Sequence, residues 1–216
     1  MTSPERVVVV GAAGFGRECL DVLEAMAAAG SAVEVAGVLD DAPSPLNLER
    51  LAARGVAHLG SLEEWLLSGP VEQFVLGVGN PHVRRRLVGL LEDAGARPFA
   101  AVHPTSTLGA RTVVGEGVVV CAGVTISTNV RLGRQVHVNP NATIGHDAVL
   151  EDFVSVNPGA VVSGEVIVGE GTLVGASATI LQCLTVGVHA LVGAGSVVTK
   201  DVPDGVVVKG VPGSWS

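Results

Sequence analysis

From Leu108 onward an aliphatic residue recurs at every sixth position, in the series Leu108, Val114, Val120, Ile126 and so on to Val198, sixteen times without a break. Four residues after each comes a smaller or β-branched side chain, as at Thr112, Val118, Ala142, Ala160, Thr172 and Ser196. A spacing of six fits neither the 3.6 period of a helix nor the period of 2 of an isolated strand. Three such hexapeptides close a triangular coil of about 18 residues, with the aliphatic residue inward and the small one near the corner. Stacked coils bury a continuous aliphatic column that no single coil could bury alone. The pattern predicts a left-handed parallel β-helix over residues 102–216.

The first hundred residues carry a different period. Residues 6–10 are an apolar strand, followed by the glycine turn Gly11-Ala12-Ala13-Gly14-Phe15-Gly16 and a helical stretch over 17–29 that Gly30 ends. A second strand over 33–39 closes on Asp40 and Asp41, and residues 41–47, with two prolines, read as a surface loop. Ser61 with Glu64 three positions later is a capping box that starts a short helix. A third strand, 74–78, leads into Gly79-Asn80-Pro81, which opens a helix to about Ala94. Strands alternating with helices imply a small Rossmann-like parallel α/β domain over residues 1–101.

Composition narrows the function classes. Hydrophobic residues make up 48% of the 216 but aromatics only 3%, so the core is aliphatic and thinly layered. A net charge of −8 argues against a nucleic-acid or anionic-membrane surface. No apolar run reaches the roughly 18 residues of a membrane span, and the N-terminus lacks a signal-peptide pattern. Cys19, Cys121 and Cys183 are odd in number and far apart, which suggests reduced thiols in a cytoplasm, filling core without activating neighbours.

The chemistry-bearing positions fall into two groups. Gly11, Gly14 and Gly16 follow a strand and precede a helix, so backbone N–H groups can face an anion there. The spacing is GxxGxG rather than GxGxxG, which counts against NAD and an oxidoreductase. Asp40, Asp41, Gly79 and Asn80 lie at the same carboxyl edge of the sheet. In the hexapeptide frame His146 occupies an outward corner next to Asp147, while His137 and His189 read as surface residues. A γ-class carbonic anhydrase shares this β-helix and binds zinc through three histidines, but the spacing it needs is missing, so no metal is expected. Coils repeating at 18 stack Thr128, His146, Gly164, Gln182 and Lys200 in one column, about 4.8 Å per step. A second column holds Pro140, Pro158, Ala176 and Ala194.

These features together resemble the nucleotide-sugar acetyltransferases, typified by the bacillosamine-pathway N-acetyltransferase and the sialic acid O-acetyltransferase group. The resemblance covers nearly the whole chain. It rests on VVVVGAAGFGRE, VLDD at 38–41 and LGVGN at 76–80, and then on AVHPTSTLGA, NPNATIGHDAVLEDFVSV and VPDGVVVKGVPG. It implies His146 as general base, Asp147 raising its basicity, and Asn139 helping to position the acceptor. It has Gly164 offering its N–H to the thioester carbonyl of acetyl-CoA, with Ser155, Ala176 and Ala194 along the coenzyme. Ala13, Gly14, Phe15, Asp40, Asp41, Gly79 and Asn80 would contact the nucleotide-sugar, and three chains would form a homotrimer. Family members often carry His within the glycine turn, where this chain has Phe15, and the bacillosamine enzyme has a coenzyme-contacting His at the place of Ser155.

The sequence therefore reads as an enzyme moving acetyl from acetyl-CoA to the amine of a nucleotide-linked sugar. Lys200, at the far end of the His146 column, is a candidate for the coenzyme phosphates. O-acetylation of a sugar or sialic acid hydroxyl is the alternative, and a non-catalytic nucleotide-sugar-binding module is the alternative of another class.

Overall fold

Four short parallel strands open the chain in the computed structural model, which describes residues 4–68 and 73–215. By internal contacts the chain divides into Met1–His103 and Pro104–Ser216. In the first unit, β1 (Glu5–Val10), β2 (Val33–Leu39), β3 (Gln73–Leu76) and β4 (Arg97–Pro98) pair in the order β2-β1-β3-β4, all parallel. Val7, Val8 and Val9 of β1 are wholly buried because the strand is central, with both faces covered. The helices are α1 (Gly14–Ala28), α2 (Pro45–Ala53), α3 (Leu62–Leu67) and α4 (Pro81–Asp93). The chain runs from β1 outward to β2, then crosses back to β3. The crevice outside the carboxyl ends of β1 and β3 is thus a topological switch point, where α/β sheets take their ligands.

Local signals explain most boundaries. Ser61 caps α3 by the expected reciprocal box, its side chain accepting from the Glu64 N–H while Glu64 accepts from the Ser61 N–H. Asn80 Oδ1 accepts from the N–H groups of His82 and Val83 and so starts α4 at Pro81. Two expectations need correction. The helix after the glycine turn begins at Gly14 rather than at Arg17, so the turn's last three residues form its first turn. The loop over 41–47 is shorter than expected: Ser44 is an N-cap and Pro45 sits at the first helical position, where its missing N–H costs nothing.

The second unit is the parallel β-helix that the sixfold spacing predicts, of about six turns and left-handed. Every strand has two residues, one facing out and one in. Strands pair with the strand three hexapeptides later: Arg131↔Val149 on one face, His137↔Ser155 on the next, Thr143↔Val161 on the third. From Val120 to Val198 the sixth-position aliphatics are at most 2% exposed, the column that holds the coils together. The last coil is two residues shorter, since Val202 bridges Val186 and Val207 pairs with Leu191. The Asp201 side chain accepts the Thr185 N–H there, where regular coils use a carbonyl, while Asp204 accepts the Val188 N–H as Asp152 accepts that of Arg134 in a regular coil.

His137 is not the surface residue that the spacing suggests. It is 1% exposed, on a stretch of face where Val119 below and Ser155 above are also buried. His189 is exposed, as the spacing suggests, with its ring against Gly171. A sixfold period assigns each side chain a direction, but not what covers the face it points from.

Candidate active site

His146 stands at a corner between two faces, where the backbone makes one rung per coil. The N–H of Asp147 donates to Thr128 O at 3.0 Å, that of Glu165 to His146 O at 2.8 Å and that of Cys183 to Gly164 O at 3.0 Å. Thr128, His146, Gly164 and Gln182 are therefore one column, rising toward the C-terminus. Its regular rungs stop before Lys200, because Asp201 is diverted to Thr185 in the shortened coil. Lys200 instead places its Nζ 4.7 Å from the centre of the Trp215 ring, a cation–π contact.

The imidazole Nδ1 lies 2.7 Å from Asp147 Oδ2. A carboxylate can only accept, so Nδ1 carries the proton and Nε2 is left with a free lone pair. Hydrogen bonds from His146 first, and from Asn129 second, hold the Asp147 carboxyl below the usual carboxylate range. Above the ring is Gly164. A methyl group there would lie 2.6 Å from both Nε2 and Cε1, so only glycine leaves the nitrogen face open. Among the described residues nothing accepts from the Gly164 N–H, which remains available to a developing oxyanion.

Asn139 lies on the neighbouring face, 8% exposed, its Nδ2 donating to Asn157 Oδ1 at 3.1 Å while its Oδ1 has no hydrogen-bond partner among the described residues. A buried amide oxygen left this way carries a desolvation cost that a bound donor would relieve. Ser155 is buried one coil above His137. Ala176 and Ala194 continue the column of Pro140 and Pro158, with rungs Ser177 N–H to Pro158 O and Gly195 N–H to Ala176 O.

In the first unit a cleft of about 260 Å³ opens at the switch point, lined by Gly11, Asp40, Asp41 and Val78 among apolar side chains. Asp40 is an internal brace: its Oδ2 accepts from the Ala12 N–H at 2.8 Å and its Oδ1 from Ala42 at 3.0 Å. Asp41 Oδ1 accepts the first N–H of α3 at 2.7 Å, from Leu62. Ala13 and Gly14 are exposed at the start of α1, Phe15 is half-buried, and Gly79 and Asn80 are exposed on the facing loop. The N-terminus of α1 has no side-chain cap, and the positive end of its dipole favours an anion there.

Sequence reasoning found Gly11 and Gly16 at this cleft but did not single out Gly77, Arg17 or Arg84. A Cβ at Gly16 would overlap Gly11 O, and one at Gly77 would overlap the Gly16 Cα, so three glycines let α1, β1 and the loop after β3 touch. The two glycines of LGVGN were the available signal for Gly77. Arg17 Nη1 donates to Ala12 O at 2.9 Å and to Asn47 Oδ1 at 2.7 Å, tying the glycine turn to α2. Arg84, wholly buried, donates to the carbonyls of Val78 and Gly79, and burial pushes its guanidinium down to about 9. Nothing in the triple arginine run distinguishes it from its exposed neighbours Arg85 and Arg86.

Comparison with known proteins agrees with both halves. The family described as the PglD N-terminal domain matches residues 6–91. The acetyltransferase domain of PglB from Neisseria gonorrhoeae, solved in complex with acetyl coenzyme A, is 31% identical, with 99% of this chain and 100% of that one covered and a TM-score of 0.87. The chain belongs to the nucleotide-sugar acetyltransferase family with a left-handed β-helix. Within it, PerB from Caulobacter crescentus, solved in complex with CoA and GDP-perosamine, is 29% identical over 97% of this chain and 96% of that one, with a TM-score of 0.87. The GDP-perosamine N-acetyltransferase of Escherichia coli O157:H7 is 31% identical over 149 residues, 68% of this chain. That match spans 64% of the relative's own length. Among the described residues no helix is long and apolar enough to cross a membrane, and no three His, Cys, Asp or Glu side chains gather as a metal site.

Proposed function

We propose that this protein transfers the acetyl group of acetyl-CoA to the amino group of a nucleotide-linked amino sugar. The observation that carries the reading is the corner at His146: a base whose Nε2 faces the space left by Gly164, beside an unspent N–H. The sugar amine attacks the thioester carbonyl while His146 Nε2 takes its proton, and Asp147 stabilises the imidazolium. The Gly164 N–H receives the oxyanion; losing one such donor typically costs about 2.7–4 kcal/mol. The C–S bond breaks as the amide forms, and the proton on Nε2 returns to the departing thiolate. Asn139 Oδ1 offers an acceptor to the incoming amine or amide. Ser155, Ala176, Ala194 and Lys200 lie along the coenzyme. The nucleotide-sugar is held by Ala13, Gly14, Phe15, Asp40, Asp41, Gly79 and Asn80, its phosphates at the start of α1. The Neisseria domain was solved with acetyl coenzyme A, and histidine variants of the Caulobacter enzyme with CoA and GDP-perosamine, which supports both the donor and the acceptor class.

The test is incubation with acetyl-CoA and a panel of GDP-, UDP- and dTDP-linked sugars, with and without a free amine. One acetyl group gained by mass on an aminated member is the expected result. Transfer only to amine-free sugars would replace the reading with O-acetylation, and no transfer to any would replace it with a binding module.

Two further outcomes follow from the same reading. Because Asp40 braces the glycine turn through Ala12, Asp40→Ala should raise KM for the nucleotide-sugar, leave KM for acetyl-CoA unchanged, and lower stability by about 1–3 kcal/mol. Steady-state kinetics with each substrate varied, and denaturant unfolding, check this; a shift in the coenzyme KM would reverse the assignment of sites. The protein acts as a homotrimer in the cytoplasm, with the coenzyme groove between subunits. The outward ladder of Thr107, Thr125 and Thr143 supports assembly by giving one face a flat, exposed surface of small side chains. Light scattering should give three chains per particle, and an active monomer would exclude the trimer.

A further inference from the structure

Asn129 occupies the coil below Asp147 at the equivalent corner position, with a left-handed φ of 59°. Its Nδ2 donates to Asp147 Oδ1 at 3.0 Å, while Asp147 Oδ2 accepts from His146 Nδ1 at 2.7 Å. The two oxygens of one carboxylate are thus divided between an amide below and the imidazole beside it. We infer that Asn129 is a positioning residue for the acetyl transfer proposed above, fixing the Asp147 carboxylate so that it holds the His146 ring with Nε2 toward Gly164.

The need for a second anchor follows from exposure. The side chains of His146 and Asp147 are 56% and 47% exposed. An exposed pair of this kind gains little, because solvent screens it and holding two rotamers costs entropy. Left alone, Asp147 could turn about its side-chain torsions and release the ring. A donor from a rigid neighbouring coil removes that freedom at low cost, since the coil spacing is already fixed by the backbone rung from Asp147 N–H to Thr128 O.

A backbone preference alone does not account for asparagine at this position. Asn tolerates left-handed φ well, yet the equivalent left-handed corners of this same column hold Arg111, Glu165 and Cys183. The fold therefore accepts many residue types there. Arg111 and Glu165, in the coils on either side of Asn129 and Asp147, contribute neither of the hydrogen bonds to the carboxylate.

The inference rests on the acetyltransferase reading, and its test separates the two. Asn129→Ala should lower kcat about 3- to 10-fold, the scale of one hydrogen bond to a charged group, with KM for acetyl-CoA unchanged. Asn129→Asp keeps the turn preference but sets carboxylate against carboxylate, so its kcat should fall at least as far. In an Asp147→Ala background, Asn129→Ala should cost nothing further, because its only route to the ring is gone. A substrate-free readout stands beside these: the Asp147 carboxyl, followed by carbon NMR, should titrate at higher pH in Asn129→Ala than in wild type. Wild-type kcat in Asn129→Asp, an equal loss with and without Asp147, or an unmoved Asp147 titration would each overturn the inference. Failure of the acetyltransferase reading is seen separately, as no acetyl group gained by any aminated nucleotide-sugar with the wild-type protein.

Discussion

Replacing His146 with alanine should lower turnover about 10²–10⁴-fold, the usual contribution of a positioned general base. The fold should not suffer. The imidazole is exposed and its hydrogen bond is to a neighbour in the same corner, so the change belongs with surface substitutions that move stability by about 0.5 kcal/mol or less. Thermal unfolding unchanged from wild type, together with a KM for acetyl-CoA close to wild type, would separate loss of proton transfer from loss of binding. Retained turnover would remove the imidazole from the mechanism and leave only orientation by the two substrates.

Gly164→Ala should be nearly as damaging for a different reason. The residue has no left-handed φ, so its backbone tolerates a side chain. The added methyl would meet the ring at 2.6 Å, and the yielding partner is an exposed imidazole rather than backbone. The ring would swing out, break its bond to Asp147 and lose its aim, while the methyl fills the space for the reacting carbonyl. A misplacement of about 1 Å can cost roughly 10²-fold, so kcat should fall by about that factor or more with stability nearly intact. Nuclear magnetic resonance of the His146 ring would show the loss of the Asp147 hydrogen bond. Wild-type kcat in this variant would mean that the reaction does not occur above His146.

Much of this was legible because the β-helix obeys arithmetic. Each inward aliphatic is specified by a fixed interval, and residues 18 apart stack whatever lies between them, so His146 and Gly164 could be paired from sequence. The same arithmetic relates Asn129 to Asp147, but an outward polar pair has no apolar signature to draw attention to it. The arithmetic failed at Lys200, where the Asp201 side chain replaces a main-chain acceptor and the repeat shortens. It was silent about His137, whose burial depends on what covers a face. In the α/β unit, α2 was hidden by its prolines, one of which is a helix starter at Pro45. Asp40 and Asp41 were found at the right sheet edge. Their roles as acceptors for backbone N–H groups needed coordinates, because carboxylates that brace a loop and carboxylates that touch a ligand look alike in a sequence.

The uniform coil length turns chain length into a kind of gearing. Asn129, His146 with Asp147, and Gly164 sit on three successive coils, and the side-chain contacts among them stay within those coils. Whole coils added or removed above Gln182 would lengthen or shorten the prism in steps of one strand spacing, leaving the corner in register. A single-residue insertion between Asn129 and Gly164 would rotate every later side chain, putting valines in solvent and polar groups in the core. Change in such a chain is therefore quantised: between those two residues the protein admits substitutions but almost no change of length, while its far end is free to grow by whole turns.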